Sequence, residues 1–186
     1  MDPVLIDFPS AFETERLQMR MPLPGDGEAV HEAKEASHEE LKEWMPFAQN
    51  RGTLEETEAN VREAHAKFLT REDLRLHIFL KESSTFIGSS GLHRINWEIP
   101  KFEIGYWIDT RYAGKGYMSE AVEGIAAFAF DKLKARRVEI RCDSGNEASR
   151  AIPERLGFDL EGVLRNDDLS VTGEGLRNTC IYAKIR

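Results

Sequence analysis

Residues 15–21 read Glu15-Arg-Leu-Gln-Met-Arg-Met21, with polar and apolar side chains alternating at the period of a half-buried strand. Residues 26–44 read as one or two helices, and Ser37-His-Glu-Glu40 has the form of a capping box that restarts the helix there. Thr53-Leu-Glu-Glu56 is a second capping box. Behind it Leu54, Val61, Ala64 and Phe68 recur at helical spacing. The period then changes. Segments 74–81, 86–92 and 102–108 predict three strands joined by short turns, an antiparallel meander. Residues 109–116 predict a loop, and 117–133 the clearest helix of the chain. Its apolar face carries Met118, Ala121, Val122, Ile125, Phe128 and Ala129. A strand over 137–142 follows, then a short helix over 146–156, begun by an Asn cap and stopped by Gly157. Segments 158–164 and 178–185 predict the closing strands. The order ββ, helices, βββ, α, β, α, ββ is that of a mixed α/β domain of the α+β type. No repeat or Pro/Gly linker divides the chain, so 1–186 is expected to form a single domain.

Composition narrows the function. Of the 186 residues 41% are hydrophobic and 31% charged, ordinary values for a soluble globular protein. The start is not basic, and the densest apolar run, 125–130, is too short to span a bilayer. A cytoplasmic protein without a membrane partner is expected. The formal net charge of −8 argues against a nucleic-acid binder, which needs a basic face. From Glu28 to Glu63 ten carboxylates face four Lys or Arg, either solvated helix faces or a rim that attracts a cationic acceptor. Cys142 and Cys180 form no CxxC pair, so two reduced thiols and no metal site are expected.

The candidate chemistry sits where a strand, Glu103-Ile-Gly-Tyr-Trp-Ile-Asp109, runs through the loop Arg111-Tyr-Ala-Gly114-Lys-Gly116 into the long helix. Glycines at 114 and 116 let backbone N–H groups approach a ligand closely. The first-turn N–H groups of a helix lack intrahelical partners, and its dipole adds positive charge, so a pyrophosphate is favoured there. Arg111 and Lys115 add cationic charge at the mouth. A plain helix-capping loop is the bland alternative. A dinucleotide fingerprint is matched only in part by Gly114-x-Gly116-x-x-Ser119, and no P-loop is present.

Arg111-x-x-Gly114-x-Gly116-Tyr117-Met118 resembles the acyl-CoA pyrophosphate loop of the GNAT acetyltransferase superfamily. Asn146-Glu-Ala-Ser149-Arg150, followed by Glu154-Arg-Leu-Gly-Phe158, resembles that superfamily's second cofactor segment. Glu103-Ile-Gly-Tyr-Trp-Ile, the Asn-x-x-Ser spacing, Leu160-Glu-Gly162 and the opening Glu15-Arg-Leu-Gln-Met-Arg20 are similar to the RimJ/RimL-like branch of protein N-terminal acetyltransferases. The resemblance covers nearly the whole chain. It implies a mostly antiparallel sheet flanked by helices, with a splayed strand pair forming an acyl-CoA slot. It further implies that acetyl-CoA is the co-substrate and that its acetyl group passes directly to an amine, a protein N-terminus or a small amine; a homodimer is compatible with it.

Carried over by position, the resemblance implies that the N–H groups of Ala113, Gly114, Lys115, Gly116 and Tyr117 hold the pyrophosphate. Tyr106, Trp107 and Ile108 would offer a strand edge to the pantetheine arm, and Asn146 would bond its amides. Ser149, on the same helix face as Asn146, would sit near the thioester sulfur. Capping remains the other reading of both residues. Many superfamily members place an acid Tyr where Pro153 stands, so the acid role falls to Ser149, on a helix that Pro153 is expected to kink or shorten. A lysine-like amine, with a pKa of about 10, is neutral about once in a thousand molecules at pH 7, so a base is required. Glu103 matches the superfamily's usual base position and Asp168 the carboxylate of RimL-like members; both stay open. The five histidines show no i,i+4 pairing and read as surface or core residues. An acyl-CoA-binding sensor or scaffold without turnover is the alternative to an enzyme.

Overall fold

The computed structural model describes residues 2–186. One eight-stranded sheet runs in the order β1-β2-β3-β4-β5-β6-β8-β7. Its strands are β1 (Ala11–Glu13), β2 (Leu17–Arg20), β3 (Leu74–Leu80), β4 (Phe86–Asn96), β5 (Lys101–Ile108), β6 (Arg137–Asp143), β7 (Asp159–Leu169) and β8 (Leu176–Ile185). The helices are α1 (Gly27–Ala36), α2 (His38–Leu41), α3 (Leu54–Thr70), α4 (Tyr117–Asp131) and α5 (Glu147–Arg155). Every strand pair is antiparallel except β5–β6, which α4 connects as a crossover.

The apolar stripe of α4 buries Met118, Ala121, Val122 and Ile125 against Leu76, Ile78, Phe102 and Ile104 of the sheet. On the other face α1 and α3 enclose a smaller cluster of Val30, Ala33, Val61 and Phe86. Because successive strand residues face opposite ways, β5 turns Phe102, Ile104 and Tyr106 toward α4 and Glu103, Gly105 and Trp107 toward α1 and α3. The parallel pairing of β5 with β6 covers only Lys101↔Arg137, Phe102↔Val138 and Glu103↔Glu139. Beyond it the strands diverge, and the β5 edge from Ile104 onward is left open, as the splayed pair requires.

Three local expectations change. Thr53 forms its capping box, with both reciprocal bonds to Glu56, but Ser37 does not cap α2. Ser37 is buried, and its Oγ accepts the Thr110 N–H at 2.8 Å, tying the α1–α2 junction to the loop after β5. Residues Glu15 and Arg16 belong to the turn before β2 rather than to the strand. Pro153 does not shorten α5, which runs through it to Arg155.

Candidate functional site

Two cavities open on the opposite faces of the splayed region. The first, of about 480 Å³, lies between the open edge of β5, the loop before α4 and the start of α5. It gathers Tyr106, Trp107, Ile108, Ala113, Gly114, Gly116, Tyr117, Met118, Asn146 and Ser149, ten residues the sequence singled out. Gly114 and Gly116 adopt φ of +73° and +80°, the left-handed region that favours glycine, and turn the chain into α4. The N–H groups of residues 114–119 donate to no protein acceptor among the described residues; the first such bond is Glu120 N–H to Gly116 O. A cradle of free donors at a helix N-terminus suits a phosphate.

Arg111 is not part of this cleft. Its guanidinium forks onto the fully buried Asp109 and reaches Glu32 at 2.9 Å, so the expected mobile cation is a fixed structural ion pair. Lys115 lies over the Tyr112 ring, also outside the lining. The cation that does line the cleft is Arg155, in the last turn of α5, bonded to Ser119 Oγ at 2.9 Å. Its only sequence signal was its place one and a half turns after Ser149, which takes the helix geometry to interpret. Arg16 supports the loop from behind, bonding Lys115 O at 3.1 Å and pairing with Glu120.

Asn146 caps α5, its Oδ1 accepting the Ser149 N–H at 2.9 Å. Pro153 has no N–H to give the Ser149 carbonyl, and the Tyr106 hydroxyl donates to that carbonyl instead, at 2.8 Å. The Ser149 Oγ in turn lies 3.4 Å from the Tyr106 oxygen. Cys142 borders this group from β6, opposite Cys180 on β8, both as free thiols. Burial pushes the Cys142 thiol up to about 11, so it is protonated at neutral pH.

The second cavity, of about 600 Å³, lies on the α1–α3 face. It shares Met45, Tyr106 and Trp107 with the first, so the two flank the same open stretch of β5 from opposite sides. Glu56, Asn60, Arg75, His77 and His93 also line it. Each of the two histidines has a carboxylate partner. His77 is 1% exposed, and its Nδ1 lies 2.8 Å from Asp26; burial lowers its pKa, so it is neutral. His93 Nδ1 lies 2.7 Å from Asp73 Oδ2.

The two proposed base carboxylates are differently placed. Glu103 lines neither cavity; it sits opposite His93 in register, 3.6 Å from Arg94, with its pKa raised by burial. Asp168 lies on exposed β7 and bonds Arg177, which holds its carboxyl below the usual range. The acidic stretch is neutralised only in part: Glu35 and Glu39 reach Arg51, Glu58 pairs with Arg62 and Glu63 with Lys67. Glu56 is the carboxylate of that stretch at the second cavity.

The family model described as "Acetyltransferase (GNAT) domain" matches residues 16–159. The chain is 34% identical over 162 residues to the putative ribosomal N-acetyltransferase YdaF of Bacillus subtilis (strain 168), covering 86% of each. It is 28% identical over 142 residues to the ribosomal-protein-serine acetyltransferase of Escherichia coli (strain K12), covering 76% of this chain and 75% of that one. The solved structure of a RimL ribosomal alpha-N-protein acetyltransferase in complex with coenzyme A superposes with a TM-score of 0.85 at 23% identity, covering 92% of this chain and 95% of that one. That likeness is one of fold, a mixed, mostly antiparallel sheet flanked by helices. The match over most of the sequence, together with the cleft and its glycine cradle, shows that the chain belongs to the GNAT acetyltransferase family and is an N-acetyltransferase.

Proposed function

We propose that the chain acetylates the α-amine of a protein N-terminus, with acetyl-CoA in the first cavity and the acceptor entering through the second. The observation that carries this reading is that both cavities border Tyr106 and Trp107, beyond the point where β5 and β6 part. A thioester threaded from one face and an amine from the other would meet in that gap. Acetyl-CoA supplies the activated acetyl group. The free N–H groups of 114–119 and Arg155 would hold its phosphates, and the open β5 edge would pair its pantetheine amides. Asn146 would contribute its side-chain N–H2, because its Oδ1 is engaged in the helix cap. Ser149 and Tyr106 place two hydroxyls together beside the slot, where a hydrogen bond to the leaving sulfur could be made.

The α-amine is favoured over lysine on chemical grounds. With a pKa of about 8 it is neutral about once in ten molecules at pH 7, against about once in a thousand for lysine. The names of two relatives, a putative ribosomal N-acetyltransferase and a ribosomal-protein-serine acetyltransferase, favour a protein acceptor over a small amine. Acetyl-CoA consumption with purified protein tests the reading. Peptides with a free N-terminus should be acetylated, and the same peptides blocked at the N-terminus but carrying internal lysines should not. Transfer to the blocked peptides, or to small polyamines alone, would overturn the α-amine assignment.

A further inference from the structure

We infer that His93, oriented by Asp73, is the group that takes the proton from the acceptor amine. The inference rests on the second cavity being the acceptor's entry, and it concerns any amine that enters there. β4 places His93 opposite Glu103 and on the same sheet face as Trp107 and Gly105. The ring lies over Gly105: a Cβ on that glycine would stand 3.3 Å from His93 Cδ2 and 3.7 Å from Nε2. A side chain at position 105 would therefore crowd the imidazole, and its absence lets the ring lie against the residue that precedes Tyr106 and Trp107, which both cavities share.

The tautomer follows from the partner. A carboxylate only accepts, so the 2.7 Å contact with Asp73 puts the proton on Nδ1 and leaves the Nε2 lone pair free in the neutral ring. Asp73 is itself held at the end of α3, where its N–H reaches back toward Lys67 O behind the left-handed Arg71. The other candidates at the cavity are weaker. The Glu56 carboxylate is engaged by the Thr53 N–H. His77 is almost wholly enclosed and its basicity is depressed by burial, whereas the His93 side chain is 28% exposed. Glu103 stands opposite His93 in register and outside the cavity lining.

The step balances simply. An ammonium gives one proton to His93 Nε2, and the freed pair forms the C–N bond with the thioester carbonyl carbon. The C–S bond breaks, the second nitrogen proton passes to the departing thiolate, and the imidazolium returns its proton to water. His93 is thus the catalytic base and Asp73 a positioning residue.

Full-length His93→Ala, His93→Gln, Asp73→Asn and Glu103→Gln should be assayed with whichever amine the wild type acetylates best. His93→Ala should lower kcat roughly 10²- to 10⁴-fold, the span of a lost general base, with KM for acetyl-CoA unchanged. Added imidazole should restore part of that rate in proportion to its concentration. His93→Gln should be as slow, and Asp73→Asn should lose rate in the same direction because it no longer holds the tautomer. His93→Ala or His93→Gln retaining kcat within roughly threefold would overturn the assignment. So would a slow His93→Ala that imidazole leaves slow, or Glu103→Gln alone reproducing the full loss. A wild type that acetylates lysine side chains would remove the α-amine reading while leaving this comparison intact.

Discussion

The contact between Tyr106 and the Ser149 carbonyl joins a fold requirement to the site. An interior proline deletes one helical hydrogen bond, and the carbonyl it abandons must find another donor. Here the donor is a phenol from β5 that also lines the cleft, so the same hydroxyl that completes α5 fixes the strand edge against it. Tyr106→Phe should leave that carbonyl unpaired and lower stability by about 1–3 kcal/mol. In a Pro153→Ala background the alanine N–H can close the bond, so Tyr106→Phe should cost less there. A double-mutant cycle read by denaturant unfolding measures the coupling, and equal costs in both backgrounds would show that the bond contributes nothing.

Among the elements, the junction of the glycine loop with α4 carries the clearest expectation. An added Cβ at Gly116 would meet Arg16 Nη2 at 3.5 Å, an ordinary contact, so room is not the constraint. The constraint is the backbone, at φ +80° and ψ 0°, which a β-branched residue adopts only with strain of roughly 1–3 kcal/mol. Gly116→Val should relax the loop out of that conformation and scatter the N–H groups of the cradle. CoA affinity measured by titration calorimetry should then fall at least about tenfold, the change set by 1.4 kcal/mol of lost binding energy. The fold should survive, because α4 is held by Met118, Val122 and Ile125 on the sheet.

For the whole molecule, the network of Arg20, Asp26 and His77 links β2, the start of α1 and β3, and it makes stability depend on pH. Burial alone would raise the Asp26 carboxyl, but hydrogen bonds from Arg20, His77 and the Leu23 N–H hold it well below its ordinary value. A depressed carboxyl contributes stability above its unfolded pKa, about 4, and loses it as the pH falls through the folded value. His77 is depressed by burial, so below its unfolded pKa of about 6.5 the unfolded chain binds more protons than the folded one. Both effects have the same sign. The melting temperature should decline as pH drops from 7 toward 5 and again below about 4. His77→Asn should flatten the upper part of that decline; an unaltered slope would place its origin elsewhere.

The sequence by itself determined the order of elements, the place of the cleft and half of its lining. Periodicity marks strands and helices locally, and a glycine pair before an amphipathic helix is a short-range signal. The Thr53 box, the α4 stripe and the segment around Asn146 and Ser149 needed nothing distant to be read. Tertiary structure alone decided which charged and polar groups are free. Arg111 has the sequence position of a phosphate ligand, but Asp109 and Glu32 engage its guanidinium, and Arg155 is the arginine that lines the cleft. Ser37 has the form of a cap and serves a distant N–H. His93 showed no partner at helical spacing because its partner, Asp73, lies on a neighbouring turn and is brought near by strand pairing. A side chain's availability depends on every group that can reach it, and sequence separation does not record that distance.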